Sequence, residues 1–272
     1  MNGYYEHHLK IKKDKLCPFI VRYTDNSNYS TCNWHKNIEL LLVTDGNGRI
    51  QYGKDMHKIS TSDTVIISSG VLHQLFSDTT TFKYILMIID EDFCKENGLD
   101  TSIFRFDKII RDEDTERLIR NAYERMKDYS AYNEPLAAAR LRSAILSVLI
   151  NICSRHATRD TETTAKSTPS EQYVKRAIEY LNNNYSSLIT LDELASICGI
   201  TKYHLAREFK KYTGQTILTY TNILRCKKAE IMLSDGKNVT EVAFECGFES
   251  LSYFSRTYKK MMGISPSKSR KN

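Results

Sequence analysis

Two arginines, Arg207 and Arg256, stand among short polar side chains in segments that repeat one another. A guanidinium is a planar fork of N–H donors, and it pairs best with two acceptors held in one plane, as on a carboxylate or the O6/N7 edge of guanine. Behind each arginine comes a lysine pair, Lys210-Lys211 and Lys259-Lys260, suited to phosphates. Far upstream, His35, Glu39 and His73 offer two imidazoles and a carboxylate, a donor set able to hold Fe(II), Zn or Mn. One group suggests base reading and the other metal or ligand chemistry. The elements that carry them decide between the two.

The arginines belong to an internal repeat. Leu191-Asp192-Glu193-Leu194-Ala195-Ser196-Ile197-Cys198-Gly199-Ile200 is matched by Val239-Thr240-Glu241-Val242-Ala243-Phe244-Glu245-Cys246-Gly247-Phe248 at an offset of 48. His204-Leu205-Ala206-Arg207 then matches Tyr253-Phe254-Ser255-Arg256 at 49, so one extra residue sits in the second copy's turn. Each copy has the parts of a helix-turn-helix. Thr190 and Glu193 make a capping box, Ala195 and Ala243 let a second helix cross closely, and Gly199 and Gly247 supply the positive-φ residue at a helix end. Leu205 with Phe209, and Phe254 with Tyr258, form the inward stripe of the second helix. Lys202, Tyr203, Ala206 and Arg207 are left facing out in copy one, and Leu251, Ser252, Ser255 and Arg256 in copy two. Lys211 and Lys260 close the helices where phosphates would lie. Between the copies, Ile217 to Ser234 reads as one helix with Tyr220, Leu224, Ala229 and Leu233 inward. Eighteen residues at ~1.5 Å each give about 27 Å, approaching the ~34 Å between successive major-groove faces. A plain bundle with charged faces predicts neither the repeat nor the repeated turn glycine.

Composition agrees. The chain has 272 residues, 41% hydrophobic and 26% charged, the balance of a globular protein of one large or two ordinary domains. Apolar runs such as Ile85-Leu86-Met87-Ile88-Ile89 are too short to span a bilayer, so no membrane partner is expected. Seven widely spaced cysteines without a Cys-x-x-Cys pair argue against a disulfide framework and fit a reducing cytoplasm. From residue 166 onward there are 17 Lys and Arg against 10 Asp and Glu, whereas residues 1–165 carry 22 against 23. A basic last third behind a neutral front suggests a polyanion-binding module joined to a partner domain.

Residues 20–90 read as short strands with Asx-Gly turns, favouring an antiparallel sandwich or barrel. From Asp112 the period turns helical. Leu118, Ala122 and Met126 mark one helix, and Ala138, Leu141, Ile145, Val148, Leu149 and Ile152 a second, with Asn133-Glu134-Pro135 between. The second stripe either packs on the barrel or forms a dimer seam, and a homodimer is favoured. The polar, Thr-rich stretch from His156 to Pro169 reads as a linker. The expected divisions are 1–110, 111–156, 157–169 and 170–272.

At the repeat the sequence resembles the AraC/XylS family of bacterial transcription regulators, over about the last hundred residues. Val239 to Lys260 followed by Gly263-Ile264-Ser265-Pro266 resembles the family signature nearly throughout, and Ile217 departs from it where many members carry proline or an aromatic. The resemblance implies two helix-turn-helix units on consecutive major-groove turns of promoter DNA, RNA polymerase as a partner, and a cupin-like N-terminal barrel that senses a small molecule. Asn33-Trp34-His35-Lys36-Asn37-Ile38-Glu39, with Gly46 downstream, is similar to the first cupin motif, Asn33 replacing its first metal histidine. Ser68-Ser69-Gly70-Val71-Leu72-His73 is similar to the second, with Ser68 in place of proline.

His35, Glu39 and His73 are therefore expected to meet. The favoured reading is that they hydrogen-bond an effector or one another, with no metal and no cofactor. A metal-dependent enzyme is the competing reading. Trp34 and Tyr52 either stack on a sugar or ring-shaped effector or serve as core aromatics. The chain has no Gly-x-Ser-x-Gly, phosphate-cradling glycine loop or His-Glu-x-x-His. The expectation is a two-domain, non-enzymatic regulator: an all-β cupin-like barrel with appended helices, then an all-α tandem helix-turn-helix domain.

Overall fold

The computed structural model describes residues 18–25, 31–131, 136–159 and 168–270. They divide into two compact units, residues 18–25 with 34–159, and residues 31–33 with 168–270. The helix break expected at Pro135 and most of the expected linker lie outside the described residues.

The N-terminal unit runs β1 (Phe19–Asp25), β2 (Ile38–Asp45), β3 (Asn47–Tyr52), β4 (Asp55–Ser60), β5 (Thr64–Ile67), β6 (His73–Ser77), β7 (Lys83–Ile89), α1 (Glu91–Glu96), β8 (Phe104–Phe106), β9 (Ile109–Ile110), α2 (Glu113–Ala131), α3 (Ala137–Arg155) and β10 (Ala157–Arg159). Among the described residues the ladders form separate sheets rather than one closed ring: β1-β7-β2-β5-β9, β4-β3-β6 and β10-β8. β2 lies at the centre of the first sheet, antiparallel to β5 (Glu39↔Ile67) and β7 (Leu40↔Met87), and its β-branched and leucine run is buried on both faces.

The period of two sorts the β2 side chains. Leu40 and Leu42 join Ile85, Met87, Ile119, Leu141, Ile145 and Val148 in the core under the helix pair. Glu39 and Leu41 fall on the opposite face. The stripe on α3 is thus buried within its own unit, with Ala137 rather than Ala138 at its start. α3 is long and apolar enough by composition to cross a membrane, but this buried stripe marks it as a core helix.

Asp112 opens α2. Its carboxylate accepts from the Thr115 N–H at 3.0 Å and the Thr115 hydroxyl at 2.5 Å, and lies 3.2 Å from the His156 ring. The Thr115 hydroxyl first, then His156 and Arg155, hold its pKa well below the ordinary carboxylate range, against the opposing effect of burial. A depressed folded-state pKa gives stabilisation that is present above about pH 4 and fades as pH falls. Thermal melts of the full chain from pH 6 to pH 2 are expected to show this loss, with a shallower dependence in Asp112→Asn. An identical pH profile in the variant contradicts the assignment.

The C-terminal unit is helical throughout its described elements: α4 (Pro169–Asn184), α5 (Leu191–Cys198), α6 (Lys202–Thr213), α7 (Ile217–Ser234), α8 (Val239–Glu245), α9 (Leu251–Met262) and α10 (Pro266–Ser269). α7 is the 18-residue spacer expected from the sequence, and it contributes to two cores. Tyr220 meets Phe209 edge-on at 5.3 Å on the first-copy side. Cys226, Ala229 and Leu233 pack with Val242, Phe248, Phe254 and Tyr258 on the second.

Candidate nucleic-acid interface and ligand site

Each repeat folds as helix, turn, helix, and the local chemistry explains why. Thr190 Oγ1 accepts the Glu193 N–H at 3.1 Å and starts α5, while the Glu193 carboxylate takes the Tyr180 hydroxyl at 2.6 Å. Gly199 ends α5 at φ 72°, and Gly247 holds φ 82° in the second turn. Thr201 caps α6 through the His204 N–H at 3.3 Å, and Ser250 caps α9 through the Tyr253 N–H at 3.2 Å. The two cysteines before the glycines align at an offset of 48 and the two caps at 49. The extra residue is therefore in the turn, where Ile200 is replaced by Phe248-Glu249.

Leu205, Phe209, Phe254 and Tyr258 are fully buried. Tyr203, Ala206, Arg207, Lys211, Leu251, Ser252, Arg256 and Lys260 are exposed, with Lys202 and Ser255 partly so. The Arg207 guanidinium rests on its own helix, 3.0 Å from His204 Nδ1 and 3.5 Å from Glu208 Oε1. Arg256 Nε donates to the Ser252 carbonyl at 3.4 Å. Both arginines are held along their helices by weak, exposed contacts that a stronger acceptor can replace. Lys202 pairs with Asp192 at 3.0 Å.

Sequence reasoning missed the role of Arg225 on α7. Its Nε and Nη2 donate to the Tyr185 and Ser187 carbonyls at 2.7 and 2.9 Å, and its guanidinium lies 5.7 Å from the Phe248 ring centre. It thereby fixes the loop between α4 and α5 against the spacer. The available signal was an arginine interrupting an apolar helix. Beside it opens a cleft of about 840 Å³ whose lining includes Ala206 and Lys210 on α6, Leu218 and Asn222 on α7, and Tyr253 on α9.

In the N-terminal unit, His35 precedes β2, Glu39 is its second residue, and His73 begins β6 on the three-stranded sheet. All three are buried. His35 Nε2 lies 2.8 Å and His73 Nε2 3.5 Å from the same oxygen, Glu39 Oε2. His35 Nδ1 donates to the Asn37 carbonyl at 3.0 Å, and His73 Nδ1 to the Val71 carbonyl at 2.9 Å. Burial works to lower the His73 pKa, but the hydrogen bond and charge of Glu39, with the Val71 carbonyl, raise it above the ordinary histidine value.

Tyr52 is the register partner of His73 across β3 and β6. Its hydroxyl bonds the Ile66 and Lys108 carbonyls at 3.1 and 3.0 Å, and burial, then the Glu39 charge, push its pKa up. Its polar end is thus engaged by the backbone. Trp34 is half-buried beside His35 in sequence. Spacing brought the two histidines and Glu39 together as expected. It did not reveal the two carbonyls that orient the rings.

Fold and site together describe a tandem helix-turn-helix unit behind a β-rich, cupin-like unit with a buried polar cluster. Two family models match, a helix-turn-helix domain over residues 194–272 and an AraC-like ligand binding domain over residues 16–145. The bifunctional transcriptional activator/DNA repair enzyme AdaA of Bacillus subtilis is 31% identical over 103 residues, which are 38% of this chain and 49% of AdaA. The transposon Tn10 TetD protein of Escherichia coli is 32% identical over 100 residues, 36% of this chain and 72% of TetD. The chain spans about half the length of the first curated relatives it matches. The apo ToxT crystal structure from Vibrio cholerae shares the fold at a TM-score of 0.53 and 14% identity, covering 93% of this chain and 96% of ToxT. The chain belongs to the AraC family.

Proposed function

We propose that this chain is a sequence-specific DNA-binding transcription regulator whose N-terminal unit binds a small-molecule effector. The observation that carries the reading is the pair of capped helices, α6 and α9, each with an exposed arginine and a closing lysine pair, joined by one 18-residue helix. On this reading Arg207 and Arg256 read guanine edges in successive major grooves. Lys202, Tyr203, Ala206, Leu251, Ser252 and Ser255 shape the contact, and Lys211 and Lys260 meet phosphates. Trp34, His35, Glu39, Tyr52 and His73 border the effector site. The regulator works in the cytoplasm with promoter DNA and RNA polymerase as partners. Because the α3 stripe is covered within the unit, a homodimer would use outer positions such as Leu136 and Ile150, each more than half exposed.

The test starts from genomic fragments selected by the purified chain. On a selected site, Arg207→Ala and Arg256→Ala are each expected to weaken binding by ~1–3 kcal/mol and to relax the preference at one base pair. Lys211→Ala and Lys260→Ala are expected to weaken all sequences alike and to lower the salt slope by about 1 each. Unchanged affinity in both arginine variants overturns the reading.

A further inference from the structure

We propose that the cleft between the two helix-turn-helix halves binds a small aromatic carboxylate, and that this ligand and duplex DNA exclude one another. The site stands on the cleft alone, whereas the exclusion rests on the reading of α6 and α9 as the helices that contact DNA. The cleft has a volume of about 840 Å³, inside the ~300–1,000 Å³ of ordinary small-molecule sites. Leu188, Leu191, Ile217, Leu218 and Phe248 give it a largely apolar wall. Leu188 and Leu218 are 78% and 65% exposed, more than any other leucine among the described residues. A single leucine left in water is ordinary. Here the two most exposed ones border one cleft, together with Leu191, and such a patch marks a surface that something apolar covers. A sugar-phosphate backbone is charged and hydrated on its outer face and offers these leucines nothing.

The polar groups of the cleft select the charge of the ligand. Arg225 has given Nε and Nη2 to the Tyr185 and Ser187 carbonyls, and Glu249 lies within reach of its charge. Lys210, exposed on α6, has no ion-pair partner among the described residues. On α9 the Tyr253 hydroxyl accepts from Asn222 Nδ2 at 2.9 Å. Its own proton is left without an acceptor, and the buried Asn222 Oδ1 without a donor, among the described residues. Turning the amide over makes Tyr253 the donor and strands Nδ2 instead. In either orientation one donor of the pair is unanswered. A cation on α6 and a spare donor at α9 call for a negatively charged acceptor, and a carboxylate supplies two oxygens for them. The Phe248 and Tyr253 rings lie 6.0 Å apart, so a flat aromatic body finds ring contacts as well as leucine. Ala206 and Lys210 on α6 and Tyr253 on α9 all line this cleft. An occupant therefore stands against both second helices and takes the lysine that a phosphate would use.

The test uses the full chain and 2-naphthoate, whose own fluorescence reports binding. One equivalent is expected at a site whose affinity falls more than about tenfold in Leu188→Gln and in Leu218→Gln. Both leucines are exposed, so melts of these variants are expected to match the parent, and if one fails to fold the other decides. Lys210→Gln is expected to lower affinity about threefold, as loss of an exposed ion pair does, and to leave the binding of neutral 2-naphthalenemethanol unchanged. Phe244→Gln, at an exposed ring outside the cleft, is expected to bind like the parent. In the parent, 2-naphthoate is expected to raise the apparent Kd for a selected genomic fragment in step with its occupancy. In Leu218→Gln the same rise is expected only at about tenfold higher concentration. Equal affinity in the parent and both leucine variants overturns the site and places any bound naphthoate elsewhere in the chain. An alcohol that binds as tightly as the acid overturns the assignment of charge. Binding as expected with DNA affinity unchanged overturns the exclusion and leaves the site standing. If the chain selects no genomic fragment, the DNA reading fails, and the naphthoate titrations still decide the site.

Discussion

Gly247→Ala is expected to destabilise the C-terminal unit by about 3–5 kcal/mol, a large part of the about 5–15 kcal/mol that holds an ordinary domain folded, while Gly199→Ala at the matching turn costs about 1–2 kcal/mol. Both glycines occupy the left-handed region, at φ 82° and 72°, so each variant carries the backbone cost of an L-residue there. The difference lies in what a Cβ would meet. At Gly199 there is nothing within 4 Å. At Gly247 the Ser186 carbonyl oxygen lies 2.4 Å away, with the Ser186 carbonyl carbon and Cα at 2.7 and 2.8 Å. These are backbone atoms, and Arg225 holds the carbonyls on either side of Ser186. The loop cannot retreat without losing those bonds. Urea unfolding of the two variants measures the difference, and equal losses at the two glycines contradict this account.

Phe254→Ala is expected to cost about 3–5 kcal/mol, the range for removing a buried phenylalanine and leaving a cavity. Its ring is fully buried on α9, 5.0 Å from the Phe248 ring and 5.4 Å from Tyr258. It also seats the helix that carries Arg256 two residues later. The variant should therefore lose DNA affinity even at temperatures where it remains folded. Phe244→Ala is the control, since that ring is 55% exposed and its removal should change stability by no more than about 0.5 kcal/mol. Denaturation midpoints of the pair give the comparison. A loss below about 1 kcal/mol for Phe254→Ala would place the second core elsewhere.

The repeat was legible because it consists of local signals: a capping Thr or Ser, a positive-φ glycine and a stripe at three- and four-residue spacing. Even the one-residue insertion was readable to the right turn, from the change of offset between Gly247 and Ser250. What depends on distant partners was not legible. Ala157–Arg159 reads as linker because its strand partner, Phe104–Phe106, lies about fifty residues upstream. The α3 stripe announces an apolar face but not whether the same chain covers it. The alternating strands near β2 imply a two-sided β structure without saying which edges pair, so barrel closure was not decidable. Thr221 and Asn222, buried on α7, break its apolar period. In the polar cluster the side chains were visible through their spacing. The carbonyls of Asn37 and Val71 were not, since every residue carries one.

The spacer α7 is a wall common to two rooms. Tyr220 belongs to one interior, and Cys226, Ala229 and Leu233 to the other. Neither half can be excised with its interior intact, because either cut strips one side of the shared partition. The two helix-turn-helix halves should therefore melt as a single calorimetric event. If the proposed two-groove contact holds, loosening one half should weaken the grip of the other on its stretch of duplex, so that a partial match at one groove penalises the whole contact.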